Sequence, residues 1–196
     1  MNFVMNQQDG VREIAEIVRQ RLKPKRWLHT LGCMKLAAKW SKYYGLKSET
    51  CQLAALLHDS WRDVAPHTAI SFAREYGLEI SSMQLDYPVL LHGPLASLWA
   101  EQSLSITDED VLEAIYWHTT GREGLRPLAM LIYCVDSLEE QRIYAGVETL
   151  RASLGKAPLA EICLAVIEQS ISYQLQKKEA IALDTISWRN SLLEQK

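Results

Sequence analysis

The chain has 196 residues, 48% of them hydrophobic and 23% charged, with a formal net charge of −3. That length supports one domain with a sizeable core, and the mild acidity argues against a nucleic-acid-binding surface, which needs a basic patch or stripe. No apolar run approaches the roughly 18–20 residues that span a bilayer, and MNFVMNQQDGVREI lacks a charged-then-apolar leader, so no membrane partner is expected and the expected address is the cytoplasm.

Taken in order, the apolar spacing is helical almost throughout, with Gly and Pro as punctuation. Met1 to Gly10 carry no motif and read as a frayed end. Val11, Ile14, Ala15, Ile17 and Val18 mark a first amphipathic helix, closed near Leu22 by Lys23-Pro24. A second is expected from Pro24 to Tyr44-Gly45, with Leu28, Leu31, Met34, Leu36, Ala37 and Ala38 as its inward stripe and His29 in its first turns. Ser48-Glu49 opens a third, whose Leu53, Ala54, Ala55, Leu56 and Leu57 leave no polar face, so it should be core on all sides before breaking at His58-Asp59. Ala65-Pro66 starts another segment, ending at Gly77, and His67 reads as surface. In VLLHGPLASLWAEQSL a proline follows shortly after His92, which puts that histidine at an irregular point of the helix. Thr107-Asp108-Glu109-Asp110 is an acidic start for DVLEAIYWHTTG, with His118 at its end. PLAMLIYCVDSLEE forms an apolar helix carrying Asp136, and Pro158 to Leu193 reads as two helices around the charged turn QKKEA. The fold class is all-α, a single helical bundle over 1–196 with a core of about 24–150 and C-terminal helices at about 158–193.

Cys33, Cys51, Cys134 and Cys163 are scattered without a C-x-x-C pair. They read as small buried apolar side chains in a reducing compartment, neither disulfides nor a zinc knuckle.

The histidines carry the chemistry. His29, His58-Asp59, His92, His118 and Asp136 each lie in or at the end of a strongly apolar helix, where ionisable groups are not usually left unpaired. A carboxylate taken out of water costs several kcal/mol or more unless paired or metal-bound. One such histidine is more often a satisfied core residue than a ligand. Four of the five, together with two apolar-flanked aspartates, point to a metal, and imidazole with carboxylate suits iron, manganese or zinc.

The order His29, His58-Asp59, Asp136 resembles the H…HD…D signature of the HD-domain metal phosphohydrolases. RWLHTLG, LAALLHD, LLHGPLAS, AIYWHTTGREG, IYCVDSLEEQR, AGVETLR and TISWRN, spread over nearly the whole chain, are similar to the YqeK branch of that superfamily, the symmetrical diadenosine tetraphosphate hydrolases. The resemblance implies an HD-domain bundle in which His29, His58, Asp59 and Asp136 hold one metal and His92 and His118 a second, with Asp59 bridging. It further implies a di-iron centre, manganese or another divalent ion being the alternative, and a small nucleotide as partner. Two cations about 3.5–4 Å apart bind a phosphate oxygen and acidify a shared water, whose hydroxide would attack phosphorus in line.

Other residues carry two readings each. Asp59 and Asp63 are the catalytic candidates, Asp63 as proton acceptor or ligand orienter and otherwise as a surface salt bridge. Arg62, Arg122 after Gly121, and Arg142 are candidate phosphate contacts, since a guanidinium fork suits a polyphosphate; Lys25 and Arg26 are weaker ones. Trp40, Trp61, Trp99 and Trp117 read first as core, with Trp61 the one placed to stack on adenine. The chain departs from the branch after Asp136, where Ser137-Leu138-Glu139-Glu140 replaces Y-I-E-P, and in VAPHTAI after Asp63. The competing functions are a nucleotidase or phosphodiesterase acting on another nucleotide, a metal- and nucleotide-binding regulatory module, and a di-iron oxygenase. A homodimer through the C-terminal helices is compatible with the pattern.

Overall fold

Helices make up every regular element among residues 7–194, the part of the chain described by the computed structural model. They are α1 (Gln7–Arg21), α2 (Pro24–Ser41), α3 (Ser48–Leu57), α4 (Pro66–Glu75), α5 (Ser82–Asp86), α6 (His92–Leu104), α7 (Glu109–Trp117), α8 (Pro127–Leu138), α9 (Val147–Ser153), α10 (Leu159–Lys177) and α11 (Leu183–Glu194). Short 3-10 turns at Lys42–Tyr44 and Pro88–Leu91 follow α2 and precede α6. Of the stretch expected to fray, Gln7 to Gly10 already belong to α1, and residues 1–6 lie outside the described residues.

The starts follow from local chemistry. Pro24, Pro66 and Pro127 stand at helix N-termini, where a missing N–H costs nothing. The Asp108 carboxylate accepts the backbone N–H groups of Asp110 and Val111 at 3.0 and 3.3 Å and so caps α7.

α3 is the hub. Ala54, Ala55, Leu56 and Leu57 are fully buried, and the helix packs against α1, α2, α6, α7 and α8. α10 packs on both α8 and α11. Two short helices, α5 and α9, have no counterpart in the sequence reading. The inward face of α2 also differs from its expected stripe: Leu28 and Leu31 are exposed, while His29, Thr30, Cys33, Leu36, Ala37 and Ser41 point inward. His67 is on the surface, as its polar connection implied.

Candidate metal centre

Four helix ends and one helix face bring His29, His58, Asp59, His92, His118 and Asp136 together. His58 and His118 follow the last residues of α3 and α7, and His92 begins α6 after a 3-10 turn. The last carbonyls of a helix lack intrahelical partners. Each of these three histidines uses one: Nδ1–H of His58 donates to Ala55 O at 2.6 Å, that of His118 to Ile115 O at 2.7 Å, and that of His92 to Val89 O. His29 sits inside α2, and its Nδ1–H instead donates to the Glu139 carboxylate at 3.0 Å, across 110 residues of chain. A carbonyl or carboxylate can only accept, so all four rings carry a proton on Nδ1, which in the neutral imidazole leaves Nε2 as a lone pair.

Those lone pairs converge on Asp59. Its Oδ2 lies 3.6 Å from His29 Nε2 and 3.5 Å from His58 Nε2. Its Oδ1 lies 3.2 Å from His92 Nε2 and 3.7 Å from His118 Nε2. Asp136 closes the first group, with Oδ1 at 2.9 Å from His29 Nε2 and 3.9 Å from His58 Nε2. One carboxylate therefore faces two clusters, one through each oxygen.

Two features fit this donor set to cations. The Nε2 of fully buried His58 has no hydrogen-bond partner, an orphan that normally costs about 1–3 kcal/mol. His92 Nε2 and His118 Nε2 stand 2.9 Å apart, so two lone pairs oppose each other unless a positive charge sits between or beside them. Burial first, and then its histidine neighbour, hold His92 below the ordinary histidine range, which favours the neutral, ligating form. Burial alone would push the Asp59 carboxyl up, but the imidazoles gathered around it, His58 foremost, outweigh that and hold it well below the carboxylate range. Asp136 is likewise lowered against its burial, by neighbouring His29 and the Arg142 charge. Cys33 Sγ lies 3.6 Å from His29 Nε2, but burial pushes its thiol far up, in keeping with a small core side chain.

A cavity of about 820 Å³ opens beside His29, Asp136 and His118, and a second of about 420 Å³ beside His92. Lys23 and Asp63 line both, joined by a 2.8 Å bond from Lys23 N–H to Asp63 Oδ2. Arg142 lines the larger cavity and donates to Asp136 Oδ1 at 2.6 Å; Arg26 donates to Asp59 Oδ2 at 2.7 Å. Trp61 and Arg62 line the smaller one. The Arg21 guanidinium lies 4.9 Å from the Trp61 ring and Phe72 meets that ring edge-on at 5.1 Å, so Trp61 is packed from two sides.

Arg122 and Gly121 stand apart from this gathering. The Arg122 guanidinium is held at 2.7 Å by buried Glu113, which also accepts from Arg126, and it lines neither cavity. Gly121 has φ +63°, and an added Cβ there would fall 2.0 Å from the Trp188 ring. It is a backbone requirement of the turn after His118. Trp188, the tryptophan of TISWRN, packs edge-on against Tyr133 at 4.8 Å, and Thr185 Oγ1 donates to Thr120 O at 2.7 Å, so α11 clamps that turn.

Sequence reasoning missed Glu139, Lys23 and Thr119. Glu139 is 1% exposed and fixes His29; its signal was a glutamate kept where the neighbouring loop departs from the branch pattern. Thr119 Oγ1 lies 3.2 and 3.1 Å from the Nε2 atoms of His92 and His118, and only its place beside His118 hinted at this.

The HD domain family model matches residues 26–141. A relative from Halalkalibacterium halodurans, named "Bis(5'-nucleosyl)-tetraphosphatase, symmetrical", is 32% identical over 184 residues, 92% of this chain and 96% of the relative. A relative of the same name from Bacillus subtilis is 29% identical over the same shares. The crystal structure of a Clostridium acetobutylicum protein, described as a predicted HD superfamily hydrolase involved in NAD metabolism, superposes with a TM-score of 0.90 at 30% identity. That match covers 95% of this chain and 98% of the other.

Proposed function

The chain belongs to the HD domain family, and from that footing we propose that it is a metal-dependent hydrolase cleaving diadenosine tetraphosphate symmetrically to two ADP. The observation that carries the reading is Asp59, whose two oxygens face two histidine clusters where two cavities meet. The relatives' shared name supplies the substrate.

In this reading His29, His58, Asp59 and Asp136 would hold one divalent ion and His92, His118 and Asp59 a second, iron being our first choice and manganese the alternative. Such a pair supplies Lewis-acid polarisation of phosphate oxygens and a more acidic water. The protein's own groups do the rest. The backbone carbonyls behind His58, His92 and His118 and the Glu139 carboxylate behind His29 keep every Nε2 aimed inward. Arg142, Lys25 and Lys23 place positive charge along the larger cavity, where a tetraphosphate would lie. Asp63, at the divide between the cavities, would take the proton of the attacking water on its carboxylate. No protein nucleophile is required. The four cysteines are free thiols, which supports a single-domain enzyme of the reducing cytoplasm, and no described helix is long and apolar enough to cross a membrane.

A second reading, hydrolysis of another nucleotide on the same centre, is favoured by Ser137, which lines the larger cavity within the stretch that departs from the branch pattern.

Turnover of diadenosine tetraphosphate by anaerobically purified, iron-reconstituted protein tests the proposal, with products resolved by chromatography. ADP as the sole nucleotide product, abolished by chelation, is expected. ATP plus AMP would overturn symmetrical cleavage, and no turnover with metal bound would favour the second reading.

A further inference from the structure

The two cavities differ in what their basic groups are already doing. In the larger one, Arg26 and Arg142 are committed to Asp59 and Asp136. In the smaller, half-buried Arg62 forms no direct ion pair among the described residues, although Asp59, Asp63 and Asp136 are near enough to influence it. An unpaired guanidinium in a recess beside a metal centre is an anion seat looking for its anion.

The rest of that recess is unlike a phosphate pocket. Val64, Ala65, Pro66, Ala69, Pro88 and Val89 make its walls apolar, and Trp61 adds an aromatic surface. A cationic rim against an apolar wall matches a nucleoside carrying phosphates. At about 420 Å³ the recess also lies in the size range of small-molecule sites, roughly 300–1,000 Å³.

Position decides what the recess is for. The larger cavity reaches His29, Asp136 and His118, the smaller reaches the cluster only through His92, and the two share only Lys23 and Asp63. A substrate that reaches both must cross the metal cluster. We propose that the smaller cavity, lined by Trp61, Arg62 and the α4 start, seats one nucleoside diphosphate half of a dinucleoside tetraphosphate, while the larger cavity seats the other.

This rests on the symmetrical-hydrolase reading and explains its symmetry. With an ADP half in each cavity, the bond to the central bridging oxygen would fall at the residues that would hold the metals, His29, His58, Asp59, His92, His118 and Asp136. One water is consumed: its oxygen bonds to one inner phosphorus, the bridging oxygen leaves with the other ADP, and the water's protons pass to Asp63 and solvent. The unequal volumes make the halves of a symmetrical substrate inequivalent once bound.

Filling the recess is the test. Ala65 is exposed and caps the start of α4, so Ala65→Trp narrows the cavity without disturbing the core; Ala69→Leu narrows it from inside. Calorimetric titration of the metal-loaded protein with ADP should give two sites per chain in the unmodified protein and one in either variant. In kinetics, kcat/KM for diadenosine tetraphosphate should fall at least tenfold relative to that for adenosine 5'-tetraphosphate, which has one nucleoside and splits at the same bond into ADP and pyrophosphate. One ADP site in the unmodified protein, or an equal fall for both substrates in both variants, would overturn the second seat while leaving the hydrolase reading intact. Products other than ADP from the unmodified protein would overturn both.

Discussion

His58, His92 and His118 are held differently from His29, and the difference shows which parts of the centre the local sequence writes. The first three sit where a helical turn ends, and each ring reaches a carbonyl three residues back. Their orientation is settled by the helix boundary itself. His29 lies inside α2, where backbone carbonyls are engaged in the helix, so its ring must find a partner elsewhere. It finds Glu139 at the end of α8. Three of the histidines are thus locally oriented, and the fourth depends on how two distant helices pack.

The largest expected effect comes from the residue both sides share. Asp59→Ala should remove metal from both clusters and lower kcat/KM by at least about a thousandfold, because a buried bridging charge disappears along with the ligand. Substantial metal content by elemental analysis, with activity retained, would exclude the bridging role.

Glu139→Gln addresses the distant anchor alone. Loss of an outer carboxylate that orients a metal-bound histidine typically costs about 10–100-fold in affinity or activity. Metal titration should show one weakened site and one unchanged site; equal weakening of both would break the contrast between local and distant anchoring. Gly32→Ala presses on the same contact more gently. An added Cβ would stand 2.5 Å from Glu139 Oε2, and the carboxylate must give way. A cost of about 1–3 kcal/mol in stability and a loss of metal affinity at the His29 side smaller than that of Glu139→Gln are expected, read by thermal unfolding and metal titration.

The smallest effect belongs to a pair that steadies the loop after His118 without touching the centre. Burial alone would raise the Glu113 carboxyl, but the hydrogen bonds from Arg126 and Arg122 outweigh it and hold it below the ordinary glutamate range. A carboxyl depressed in the folded state adds stability that is present above its unfolded pKa, about 4.3, and is lost as pH falls through the folded value. Glu113→Gln should therefore cost about 1–2 kcal/mol at neutral pH, with the two proteins converging below about pH 4. A difference that persists at low pH would show that packing, rather than charge, is at work.

The same division explains what could be read from the chain. The ends of α3 and α7, and the irregular start of α6, were legible because capping and proline signals are local, and three of the histidines came with them. The inward face of α2 was not, because it is lined by His29, Thr30 and Cys33 to serve the centre, so the apolar stripe through Leu28 and Leu31 pointed to solvent. Arg122 looked like a phosphate contact because a glycine and a histidine preceded it. The structure pairs it with Glu113, on a helix whose register the sequence alone could not align with that loop. Glu139 was hard to place for a related reason: the one signal was its retention in an otherwise altered loop, and the residue it serves, His29, is 110 positions away.

The clamp of Trp188 on Gly121 bears on the order in which the protein becomes functional. A chain emerging from the ribosome exposes His29, His58, Asp59, His92, His118 and Asp136 in turn, and could gather them before α11 has been made. The ring that pins the turn after His118 is synthesised later than all of them. Completion of the centre is thereby tied to late translation, so a nascent chain stalled before α11 would hold the full set of ligands with one wall of the site still unfastened.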